Sequence, residues 1–149
     1  MRRSNRQRPA FAILAIAVLL AAGPLAADER VAVDVSIVGI ETLEGEIVIA
    51  VFDNEESFDR RLDPVAFAYL AVDSAVVRWS TELAAPGVYA IAVYHDRNGN
   101  HELDMRRLGG PKEPFGFSND ARGLFRPPSF DDAKISVELE RYEVEIAVR

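Results

Sequence analysis

Val31, Val33, Val35 and Ile37 fill alternate positions of the run VAVDVSIV, and the positions between them are mostly small or polar. A period of two with one apolar side predicts a half-buried strand over 31–38. The run EIVIAVF, Glu46 to Phe52, is apolar on both sides, as a strand in the middle of a sheet would be. AFAYLAV and AVVRWS predict two further strands, joined as a hairpin around Asp73-Ser74. VYAIAVY, Val88 to Tyr94, again predicts a central strand. KISVEL and YEVEIAV close the chain, with Ile135, Val137 and Leu139, then Val144, Ile146 and Val148, facing inward and Glu140-Arg141 between them.

Helical spacing is rare. NEESFDR predicts one short helix, capped by Asn54 and anchored by Phe58. In LAAPGVY, Pro86-Gly87 makes a turn and Tyr89 occupies the place of the tyrosine corner of immunoglobulin-like sandwiches, whose hydroxyl bonds to backbone upstream. Trp79 is expected in the core between the sheets. Together these elements predict an all-β, single-domain antiparallel β-sandwich, immunoglobulin- or transthyretin-like, with one long ordered loop.

That loop runs over about 95–129, where no strand is evident. It holds Gly109-Gly110-Pro111, Phe115-Gly116-Phe117 and Pro127-Pro128. Structureless loops longer than about 12–15 residues are uncommon in compact domains and often functional. Phe115, Phe117, Phe125 and Phe130 predict that this one packs down onto the sandwich, since disordered segments are poor in aromatics. Pro127-Pro128 would hold Ser129 and Phe130 extended, and Asp131-Asp132 would end a turn before the next strand.

At the start of the loop stands YHDRNGNHELD, Tyr94 to Asp104. Counting Asp96 as first, Asn98, Asn100 and Asp104 take the third, fifth and ninth places of an EF-hand-type calcium loop, and Glu102 would offer a backbone carbonyl at the seventh. His101 stands at the sixth place, where such loops carry glycine, and Arg107 at the twelfth, where they carry a bidentate glutamate. Outside ligands would be needed, with Glu113, Asn119 and Asp120 as candidates. Two carboxylates predict weak affinity, with a dissociation constant of about 10⁻⁴–10⁻³ M. The same residues also suit a polar turn whose Asx side chains bond their own backbone.

His95 and Asp96 raise a second chemistry, a metal-dependent hydrolase. Adjacent residues of a strand face opposite ways, which argues against a shared substrate. No set of nitrogen or sulfur ligands for zinc and no nucleophile motif accompanies them. The favoured expectation is a non-catalytic binding or accessory module, with the hydrolase, or a carrier for a small apolar ligand between the sheets, as the alternatives.

Composition narrows the setting. Residues 1–27 have a basic start (Arg2, Arg3, Arg6, Arg8), an apolar stretch and small residues ending at Ala27, the pattern of a cleaved secretory signal. Removing those 27 of 149 residues leaves 122, one domain spanning 28–149. It also takes four arginines from a chain of net charge −7, leaving −11. So acidic a domain is a poor match for nucleic acid or anionic membranes. The chain has no cysteine, so it carries neither a disulfide nor a cysteine-linked lipid. The expectation is a periplasmic or secreted protein without a stable membrane anchor, whose partner is an unknown protein or small molecule and whose one candidate cofactor is calcium.

GEIVIAVFDNEESF, APGVYAIAVYHDRNGNHELD, GGPKEPFGFSNDA and PPSFDDAKISV, in that order, resemble the bacterial family of domain of unknown function 2141. The resemblance runs from about Val33 to the C-terminus. It implies an exported single-domain protein and supplies no reaction. Members often carry His-Asp, Asn-x-Asn-Gly and a later Asp around this loop. His95, Asp96, Asn98, Asn100 and Asp104 match, and His101 replaces the glycine.

Overall fold

The computed structural model describes residues 29–123, 126–138 and 141–149. The expected signal segment, Phe125, Leu139 and Glu140 lie outside the described residues. Two sheets face one another across a core of aliphatic side chains. In the first, β1 (Val31–Val38) lies between β4 (Val77–Leu83) and β8 (Arg141–Ala147). The second runs β3 (Ala66–Ala71), β2 (Glu46–Phe52), β5 (Gly87–Asp96). Beyond β5, β7 (Lys134–Val137) pairs with its first half and β6 (Phe115–Phe117) with its second.

Alternation puts Val31, Val33, Val35 and Ile37 of one sheet against Ile47, Ile49, Val51, Ile91 and Val93 of the other, all buried. Val144 and Ile146 add to this core from β8, and Trp79 packs at its rim. All strand pairs are antiparallel except β1 with β8, which run parallel with Val35 opposite Val144. Tyr89 donates its hydroxyl hydrogen to the Ala85 carbonyl at 2.7 Å, making the expected corner before β5.

Three local expectations are corrected. β3 and β4 do not form a hairpin: β3 pairs with β2 and β4 with β1, so the Asp73-Ser74 turn carries the chain from one sheet to the other. Each strand has an inward stripe, and the stripes meet across the core on opposite walls rather than side by side. The 95–129 segment is not strandless, since it contains β6 and a 3₁₀ turn at Ser118–Asp120. Asp131 and Asp132 belong to a helix, α2 (Phe130–Ala133), where Ser129 and Asp132 form a reciprocal capping box.

The helix α1 (Glu55–Arg60) forms as its sequence predicts. Asn54 accepts from the Ser57 N–H at 2.9 Å, and Phe58 is fully buried. Phe58 lies on the outer face of the larger sheet, its ring 5.6 Å from that of Phe52 and 5.9 Å from those of Phe117 and Phe130. The two helices cover only the part of that face around Phe52 and Ala90. The remainder, next to the Asn-rich loop, is open.

Candidate functional site

β5 runs on through His95 and Asp96, which face opposite ways as alternation demands. His95 turns into the sandwich and is fully buried, and its Nε2 donates to the Glu44 carbonyl at 2.7 Å. Gly45 makes that approach feasible: its φ is +70°, and a Cβ there would sit 2.1 Å from the Asp96 carbonyl oxygen. An imidazole sealed in this way is out of reach of any substrate shared with Asp96.

Asp96 turns the other way and organises the loop. One carboxylate oxygen accepts from the N–H groups of Gly99 (2.8 Å) and Asn100 (3.3 Å), and the other from His101 (2.6 Å). Asn98 Oδ1 accepts from the Asn100 N–H and Asn100 Oδ1 from the Glu102 N–H. The Asn98 amide also donates to Asp104 at 2.9 Å. His101 holds the left-handed turn, with φ +62°. An L-residue is strained there, and glycine would be at ease.

Of the outside ligands expected, the fold brings one. Glu113, buried, accepts from the Arg97 N–H at 3.0 Å and the Asp104 N–H at 3.1 Å, clasping the two ends of the loop. Asn119 instead bonds the Asp132 carbonyl, and Asp120 pairs with Arg122 and Arg149. Among the described residues no three acidic or imidazole side chains converge tightly enough to cage a metal unaided. A cation here would rest largely on amide and carbonyl oxygens. Such hard donors fit calcium and do not fit zinc.

Beside this loop, the outer face of the larger sheet forms a pocket of about 1040 Å³. Register explains its shape. One cross-strand row reads Tyr69, Val48, Tyr94, Phe115, and the next reads Phe67, Ala50, Ala92, Phe117. Alanines in the middle and rings at both ends leave a trough with an apolar floor. Leu103, Met105 and Leu108 from the loop form one wall, and Arg61 to Pro64 form another. Phe67, Tyr69 and Met105 stay 46%, 44% and 56% exposed. The inter-sheet space, by contrast, is filled by the aliphatic core.

Loop and pocket share a wall. His101 stacks on Tyr69, and its Nε2 meets Glu46 at 3.0 Å. Tyr94, on the pocket floor, has its pKa pushed up to about 12, chiefly by burial and then by the negative charges of Asp96, Glu113 and Glu102 and the neighbouring Tyr69. The pocket therefore presents a neutral phenol across the physiological range. The sequence did carry a signal for this site: Phe67 and Tyr69 alternate with inward alanines, and the outward face of β2 is apolar.

A family model described as an uncharacterized protein conserved in bacteria (DUF2141) matches residues 35–145. No curated protein and no solved structure matches the chain.

Proposed function

The chain belongs to this bacterial family, DUF2141, and from its outer-face pocket we propose that it is an exported, non-catalytic binding protein for a small apolar ligand. The observation that carries this reading is the trough itself. Soluble proteins seldom leave a row of rings uncovered beside an apolar floor, and ligand sites are concave, mostly apolar and of this size. Export rests on the leader pattern of residues 1–27. The carrier idea thus moves from between the sheets to the outside of one of them.

The test is nuclear magnetic resonance titration with a neutral apolar probe, N-phenyl-1-naphthylamine. Saturable shifts confined to Val48, Ala50, Phe67, Tyr69, Ala92 and Tyr94 are expected. Shifts scattered over both sheets, or none, would refute the reading.

A second proposal concerns the loop. Calcium bound by Asp96, Asn98, Asn100, the Glu102 carbonyl and Asp104 would brace the pocket wall. What favours it is the arrival of buried Glu113 at the loop, from where the chain had to supply a further carboxylate. The ion would act as a structural brace rather than a catalyst.

A further inference from the structure

Resting on the pocket reading above, we propose that the ligand is an amphiphilic monoanion, its apolar body lying on the Ala50–Ala92 trough and its carboxylate held by Arg61. Arg61 follows α1 in the left-handed conformation, with φ +53°, which turns its side chain back over the helix end. The guanidinium carbon lies 4.0 Å from the Phe58 ring centre and 5.3 Å from that of Phe117. One terminal nitrogen donates to the Phe58 carbonyl. Among the described residues no carboxylate comes within ion-pair distance of it, whereas Arg30, Arg60, Arg122, Arg141 and Arg149 each have such a partner.

At the edge of an apolar trough, a guanidinium held by rings and a backbone carbonyl rather than by a carboxylate keeps N–H groups available to an anion. Burial against the rings lowers its pKa, against the pull of Asp59, so the site holds a cation that is short of compensation. Its remaining N–H groups form a planar fork that matches a carboxylate in shape and charge. Asp63 and Arg126 also line the pocket. The loop contributes only apolar groups and His101 to the opposite wall. The charged side chains of the lining therefore come from outside the loop, and an elongated anion turns its carboxylate away from the loop wall.

Cation–π contacts and a carbonyl bond also give Arg61 a structural role at the helix end, so the experiment separates the two. Dodecanoate and dodecanol, equal in chain length and different in charge, are titrated by calorimetry into the wild type, Arg61→Lys and Arg61→Gln. The wild type should bind dodecanoate about tenfold more tightly than dodecanol, the scale of one charge-assisted contact. Arg61→Gln should remove that preference and leave dodecanol affinity unchanged, and Arg61→Lys should keep part of it. Equal affinity for both probes in the wild type would overturn the anion assignment while leaving the pocket standing. So would an Arg61→Gln variant that loses both probes equally. Failure of both probes to bind the wild type would overturn the pocket and the anion together.

Discussion

His101 stacks on Tyr69 with ring centres 4.1 Å apart and planes inclined by 25°. That contact joins the tight turn of the Asn-rich loop to the outer edge of the ligand trough. It makes loop order a condition of pocket shape. Replacing Tyr69 with alanine removes a ring from the trough and a support from the loop, so probe affinity and loop protection against hydrogen exchange should fall together. Loss of affinity with unchanged exchange at residues 97–104 would show that the two are independent.

Asp96 gives the sharpest test of the loop. Its carboxylate receives three backbone N–H groups, and asparagine can accept through only one oxygen. Asp96→Asn should cost about 1–3 kcal/mol in chelator, the range for a buried group left short of partners. With calcium at one hundred times its dissociation constant, the wild type should gain about 2.7 kcal/mol, because the unfolded chain cannot gather the same oxygens. The variant should gain little. Thermal unfolding in chelator and in calcium at about 10–100 mM, one hundred times the expected dissociation constant, reads both effects, and equal wild-type midpoints would end the calcium proposal.

Tyr94 predicts a pH dependence. Its folded pKa is raised to about 12 from an ordinary value near 10. The folded state therefore disfavours the phenolate, and the stability tied to the neutral phenol is fully present below pH 10. It is lost as pH rises from 10 through 12. Ultraviolet titration of the wild type minus Tyr94→Phe should show one phenol ionising near 12, and a midpoint near 10 would contradict the burial described for this ring.

Tyr89→Phe deletes the hydroxyl that bonds Ala85 and leaves the ring in the core. The expected loss is about 0.5–1.5 kcal/mol, the net worth of one hydrogen bond, with no effect on ligand binding because Tyr89 faces the inter-sheet core. Chemical denaturation checks the first part and probe titration the second.

Periodicity made most of this fold legible. β1, β2 and β5, the Asn54–Phe58 helix and the Tyr89 corner could all be read from residue order, because each is decided by local alternation, capping or turn chemistry. Pairing is another matter. Nothing within AFAYLAV or AVVRWS distinguishes two neighbours in one sheet from two strands on opposite walls, and the parallel pairing of β8 with β1 joins residues over 100 positions apart. β6 has only three residues, one of them Gly116, too few to show a period. The pocket was hidden for a related reason. An apolar outer face on β2 and β5 reads as burial, but the two helices cover only the part of it around Phe52 and Ala90.

The proposed ligand site is the trough over Ala50 and Ala92. Fluorescence titration with N-phenyl-1-naphthylamine tests it in the wild type, in Ala92→Phe, which fills the floor, and in Phe67→Ala, which removes an exposed wall at little risk to folding. Trp79, the only tryptophan, lies on the other sheet and reports folding independently of the pocket. The account predicts saturable binding by the wild type, and affinity about tenfold or more weaker in both variants, as expected for losing a buried aromatic contact or the space itself. Trp79 emission should stay unchanged. Equal affinity in all three proteins would contradict it.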